Sequence, residues 1–170
     1  MADIVTADKL KNNILNDMRV ELSDEFDRNF ERKAFFTDAW KARKDPKANG
    51  SLLVVSGRMR RSIKGKVESD GVRFTSDTAY ATVHNEGGSG FATVRQHQRR
   101  VKKTGKVYTV RSYQRRVNIP QRQFVGDGQR TQEIIRGVID DNVKQFNASL
   151  SNFIRTNKGV SNCFWPLSKD

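Results

Sequence analysis

The chain has 170 residues, 35% of them hydrophobic and 30% charged, with 32 Lys and Arg against 19 Asp and Glu and a formal charge of +13. That length allows one ordinary domain with a modest core rather than two comfortable ones, and a mean hydropathy of −0.74 argues against a large compact core. No run approaches the ~20 apolar residues of a membrane span, and a single cysteine, Cys163, excludes an intrachain disulfide and argues against a cysteine-based metal site.

The charge is unevenly spread. Nine acids precede position 41, whereas none occurs between Glu86 and Asp127, an interval with ten cations. A basic middle of this kind attracts something anionic, whether nucleic acid, an acidic protein surface or a membrane face, and its sign alone does not choose among them. The start Met1-Ala2-Asp3-Ile4 has no basic segment followed by an apolar one, so the expectation is a protein made and kept in a reducing cytosol. Low apolar content further suggests an elongated form with extended arms, part of whose apolar surface is covered by a neighbouring subunit.

In chain order, Leu10, Ile14, Met18, Leu22, Phe26 and Phe30 recur every four residues and predict a long amphipathic helix from Thr6 to about Phe36. Thr6 is its N-cap and Asp8 suits its positive end. Trp40 folds back on the helix core, and Asp45-Pro46 to Asn49-Gly50 marks an exposed loop. Leu52 to Val55 supplies apolar bulk. Ser56-Gly57 interrupts it, and Arg58 to Ile63 reads as a short helix with Met59 and Ile63 on one face.

Residues 64–68 and 72–76 alternate around Ser69-Asp70-Gly71, the pattern of a tight hairpin. Tyr80 to His84, rich in β-branched and aromatic residues and followed by Gly87-Gly88, reads as a buried third strand that runs into a turn. From Phe91 to Val117 the chain is extended and basic. Val101 and Val107 to Val110 suggest two strands joined by Lys103-Thr104-Gly105-Lys106, a long protruding hairpin arm carrying Arg95, Arg99, Arg100, Lys102, Lys103, Lys106, Arg111, Arg115 and Arg116.

Phe124 anchors the chain back on the core. Ile134, Ile135, Val138, Ile139, Val143, Phe146, Leu150 and Phe153 then predict a second long helix from Gln129 to about Ile154, started by Thr131 and Glu133. The tail 157–170 carries Phe164-Trp165, a pair expected to dock on something. The fold class expected is α+β: an antiparallel sheet of about four strands packed by a long N-terminal and a long C-terminal helix. This makes one domain over 1–156, with the arm at 91–117.

Three runs stand in order: Leu52 to Ile63, Tyr80 to Gly88, and Asn118 to Gly126. With Trp40 ahead and a closing helix behind, they resemble the phage virion morphogenesis, or tail completion, family over roughly Phe30 to Phe153. The residues that carry the resemblance are Gly57, Arg58, Tyr80, His84, Asn85, Gly87, Gly88, Pro120, Arg122, Phe124 and Gly126. Ser56 stands where the family usually has Thr, and Gln123 where it usually has Pro. The resemblance implies a structural virion protein at the head-proximal end of a tail or at the neck. It would form a ring, a hexamer by the six-fold symmetry usual for tail tubes, and contact connector and tail-tube proteins after assembly in the host cytoplasm.

Chemistry is hard to find. His84 and Glu86 lie two apart, but a metal or general-base site needs several convergent groups, and His97, the only other histidine, sits in the acid-free arm. No phosphate-binding Gly-rich loop or nucleophile elbow occurs. No enzyme, cofactor or metal is expected, and His84 reads as a strand-end residue bonded to backbone. The alternative to an assembly protein is a basic nucleic-acid-binding module, since Tyr108 and Tyr113 among Arg and Lys can stack bases and neutralise phosphates. In the assembly reading, passing DNA is at most a non-specific partner.

Overall fold

The computed structural model describes residues 6–43 and 50–158; the expected loop at Asp45–Asn49 and the Phe164-Trp165 tail lie outside them. The fold is α+β, built from two long helices and short antiparallel strand pairs. Its residues cluster into two compact units, one of 1–27, 63–75 and 126–170, the other of 28–62 and 76–125.

In the first unit lies most of α1 (Ala7–Arg32), whose start is capped as its sequence requires: the Lys9 N–H donates to Thr6 Oγ1 at 3.3 Å. Leu15, Leu22 and Phe26 are buried here. The hairpin of β3 (Ile63–Val67) and β4 (Val72–Ser76) turns where Asp70-Gly71 placed it, with the Glu68 N–H donating to Gly71 O at 2.8 Å. Phe74 of β4 meets Phe26 edge to face at 5.0 Å. The closing helix α4 (Gln129–Lys158) is tied to α1 by Asn142, whose Nδ2 donates to Asp17 Oδ2 at 2.8 Å.

The second unit is organised around the end of α1. Phe30 is 1% exposed, packed edge to face on Trp40 at 5.6 Å and tilted on Phe124 at 4.9 Å. Trp40 does fold back on the helix, and its indole N–H donates to Gln123 O at 2.6 Å. Helix α1 stops at Arg32, short of the expected Phe36, because Lys33 takes φ 57° and opens a small hairpin of β1 (Ala34–Phe35) and β2 (Asp38–Ala39). Asn29, fully buried, stitches this corner together: its Oδ1 accepts the Phe36 N–H at 2.9 Å and its Nδ2 donates to Phe124 O at 3.1 Å.

Two expectations are corrected. Tyr80 to His84 is not a strand: Ala81–Glu86 forms a helix, α3, with Ala81 buried and Val83 facing out. Five residues of β-branched and aromatic character are a weak preference that tertiary contacts override. Here the override is concrete, for the Asn85 side chain at the helix end is clamped to the backbone at residues 124–125. Nor is there a sheet of about four strands among the described residues, where strands pair only in twos. Gly88, expected to follow the end of a strand, instead begins one: β5 (Gly88–Val94) pairs with β8 (Tyr113–Ile119), and β6 (His97–Arg100) with β7 (Val107–Val110).

Candidate functional site

The three sequence runs meet in the second unit. Gly57, at φ 69°, turns the chain into α2 (Arg58–Ser62), and a side chain there would press on the Arg61 guanidinium that donates to Ser56 O. Below α2, Met59 is buried and the Ser62 hydroxyl joins those of Ser76 and Thr78. Sequence reading missed this hydroxyl cluster, because three small polar residues so far apart give no periodic signal.

The second and third runs are joined through backbone. The Arg122 N–H donates to His84 O at 2.8 Å, and Asn85 Oδ1 accepts the N–H groups of both Phe124 and Val125 at 2.9 and 3.1 Å. Gly87 adopts φ 80°, and a Cβ there would lie 2.9 Å from the Gln121 nitrogen. Gly88 has no such constraint; its Cβ would meet only a Val83 methyl, at 3.2 Å. Arg122, 7% exposed, donates through Nε to Lys41 O at 2.9 Å and through Nη2 to Ala42 O at 3.4 Å. Burial first, then the charge of Arg43, weakens the hold of this guanidinium on its proton.

Between these runs opens a cavity of about 310 Å³. Arg43, Arg58 and Arg122 reach its wall together with Tyr80 and His84, and Leu52, Leu53 and Met59 add apolar surface. His84 is therefore not the strand-end residue expected. It is half-buried on a helix, its ring edge to face with Tyr80 at 6.2 Å, and its Nδ1 is buried with no hydrogen-bond partner. Burial, and secondarily Arg122, pushes the imidazole pKa below its ordinary 6.5. A depressed histidine favours the fold at pH above that ordinary value, and the contribution is lost as pH falls through the lower, folded value. Wild-type melting temperature should therefore drop more steeply than that of His84→Gln as the medium is acidified below about pH 6.5. Parallel curves would contradict the assignment.

The other candidate element is the hairpin built by β5 to β8. All nine of its expected contact cations, from Arg95 to Arg116, are exposed, and among the described residues none has a carboxylate partner. The register sets Arg99 opposite Tyr108 and Arg116 opposite Phe91, with Phe91 73% exposed. At its turn Gly105 takes φ 69° and its N–H donates to Val101 O at 2.9 Å, so Val101 belongs to the turn.

A scan against family models matches residues 3–144 to the phage virion morphogenesis family. The chain belongs to that family. No curated protein and no solved structure matches it. Membership of the phage virion morphogenesis family gives the chain a part in building the phage particle, and the match takes in both the pocket and the hairpin. Among the described residues no helix is long and apolar enough to cross a membrane, and no group of His, Cys, Asp or Glu is arranged to hold a metal ion.

Proposed function

We propose that this member of the phage virion morphogenesis family is an architectural, non-catalytic protein of the virion. It forms a ring, a hexamer by the symmetry of a tail tube, at the head-proximal end of the tail or at the neck, and completes the tail or joins it to the head. The observation that carries this reading is the hairpin: nine exposed cations and three exposed aromatics, Phe91, Tyr108 and Tyr113, on two-stranded ladders. Such ladders are marginal alone in water, so the element gains order from whatever it docks on. A second support comes from α4, where Ile139, Val143, Leu150 and Ile154 make one exposed apolar stripe of a kind that a neighbouring subunit covers. A contact between unlike faces of identical subunits closes into a ring when its rotation allows.

The docking surface is an acidic face of a connector or tail-tube protein. Arg99, Arg100, Lys102 and Lys103 changed together to Ser should leave the melting temperature nearly unchanged, since exposed like charges repel only modestly and under salt screening. Tail-to-head joining, read by electron microscopy and by infectivity, should be abolished. Normal particles from this variant would overturn the reading. A nucleic-acid role is the second reading, favoured by the Arg99–Tyr108 and Arg116–Phe91 pairings. It requires salt-sensitive binding of single-stranded DNA by the purified protein that the same four substitutions remove.

A further inference from the structure

The pocket between the three runs has features that a packed structural corner does not need. Its lining includes three arginines, Arg43, Arg58 and Arg122, and no acidic residue among the described residues. The guanidinium of Arg122 is almost fully buried yet held only by two carbonyl oxygens, through Nε and Nη2; a guanidinium has five N–H donors. His84 adds a buried ring nitrogen without a partner, and buried polar atoms of this kind are rarely left unpaired. The backbone is also strained at this place: Leu53 sits at φ 60°, a conformation that costs of order 1–3 kcal/mol for a residue other than glycine and that clusters at ligand clamps. Beside it Val55, 74% exposed, stands at the rim.

We propose that this cavity is a binding site for a carboxylate side chain presented on an apolar peptide segment of an acidic protein partner. The guanidinium groups of Arg58 and Arg122 supply charge-assisted donors. The His84 ring lines the same cavity and lies beside the bound carboxylate. Leu53, Val55 and Tyr80 receive the apolar neighbour of the acid. A second copy of the chain, with a net charge of +13, complements three arginines less well than an acidic partner does. A nucleic-acid backbone is poorer too: a concave cavity of about 310 Å³, lined in part by Leu52, Leu53, Val55 and Met59, suits a side chain at the small end of ligand pockets.

The test uses the full chain with its hairpin substituted to Ser at Arg99, Arg100, Lys102 and Lys103, so that binding to the hairpin is removed. The probe is a fluorescein-labelled synthetic peptide of alternating Leu and Asp, followed by anisotropy, against its Leu and Asn counterpart. The Asp peptide should bind, with the Asn peptide and the Arg58→Gln variant each weaker by about tenfold or more, the loss expected for one hydrogen bond to a charged group. Val55→Ser should weaken it as well, and the His84 ring nitrogens should shift in NMR spectra on binding. Arg58 is exposed, so its substitution leaves the fold intact, which a melting curve checks. Equal binding of the Asn peptide, indifference to Arg58→Gln, displacement of the peptide by oligothymidylate, or no binding at all would each overturn the proposal.

Discussion

Phe30→Ala should be among the most damaging single substitutions in the chain, lowering stability by about 3–5 kcal/mol, the range for removing a fully buried aromatic ring. Phe30 is 1% exposed and is the contact shared by Trp40 and Phe124. Its loss strips both of an edge or face they cannot replace, where few apolar side chains are buried among the described residues. The damage should spread to the pocket, because Phe124 lies two residues after Arg122 and is held by the same turn. Urea unfolding followed by Trp fluorescence measures the change. Phe91→Ala is the control: at 73% exposure it should shift stability by less than about 0.5 kcal/mol. Equal midpoints for the two variants would remove Phe30 from the centre of the unit.

Where the sequence was readable, the reason was length of pattern. The stripes of α1 and α4 repeat over many turns, so their existence survived uncertainty at the ends, and Thr6 marked one end chemically through its cap. The Asp70-Gly71 turn was legible because its geometry is local. Tyr80 to His84 was misread because five residues carry too little periodicity to separate a buried strand from one and a half helical turns, and the contacts that decide it, Asn85 with residues 124–125, lie some 40 positions away. Leu53 was invisible for a different reason. Left-handed backbone at leucine contradicts its own preference, so no sequence rule could place it.

The same distinction applies to the site. The three runs were recognisable as a set, but their convergence on one cavity was not, and neither was the role of Arg43, which belongs to none of them. Asn29 also escaped notice. In the sequence it is one more polar residue on the first helix, whereas in the fold it satisfies a donor and an acceptor of two distant loops with no exposure to water. Polar residues that serve the backbone leave no compositional trace.

Gly87→Val should cost on the order of 2–5 kcal/mol, and Gly88→Val much less, although the two glycines are adjacent and look equivalent in sequence. At Gly87 two penalties combine. A φ of 80° is unfavourable for any side chain and worst for a β-branched one. A Cβ there would also lie 2.9 Å from the Gln121 nitrogen and 3.2 Å from its Cα, and since that neighbour is backbone it yields only by moving the 118–126 turn. Gly88 is free of positive φ, and its Cβ would meet a single Val83 methyl at 3.2 Å, a side chain that is itself 37% exposed and able to turn away. Displacing Gln121 pulls on Arg122, whose N–H bond to His84 O joins the two walls of the pocket. Gly87→Val should thus both melt earlier and bind the Leu and Asp peptide more weakly, while Gly88→Val keeps both properties near wild type. Equal melting temperatures for the two variants would show that the close approach at Gln121 relaxes without cost and that the two glycines are equivalent.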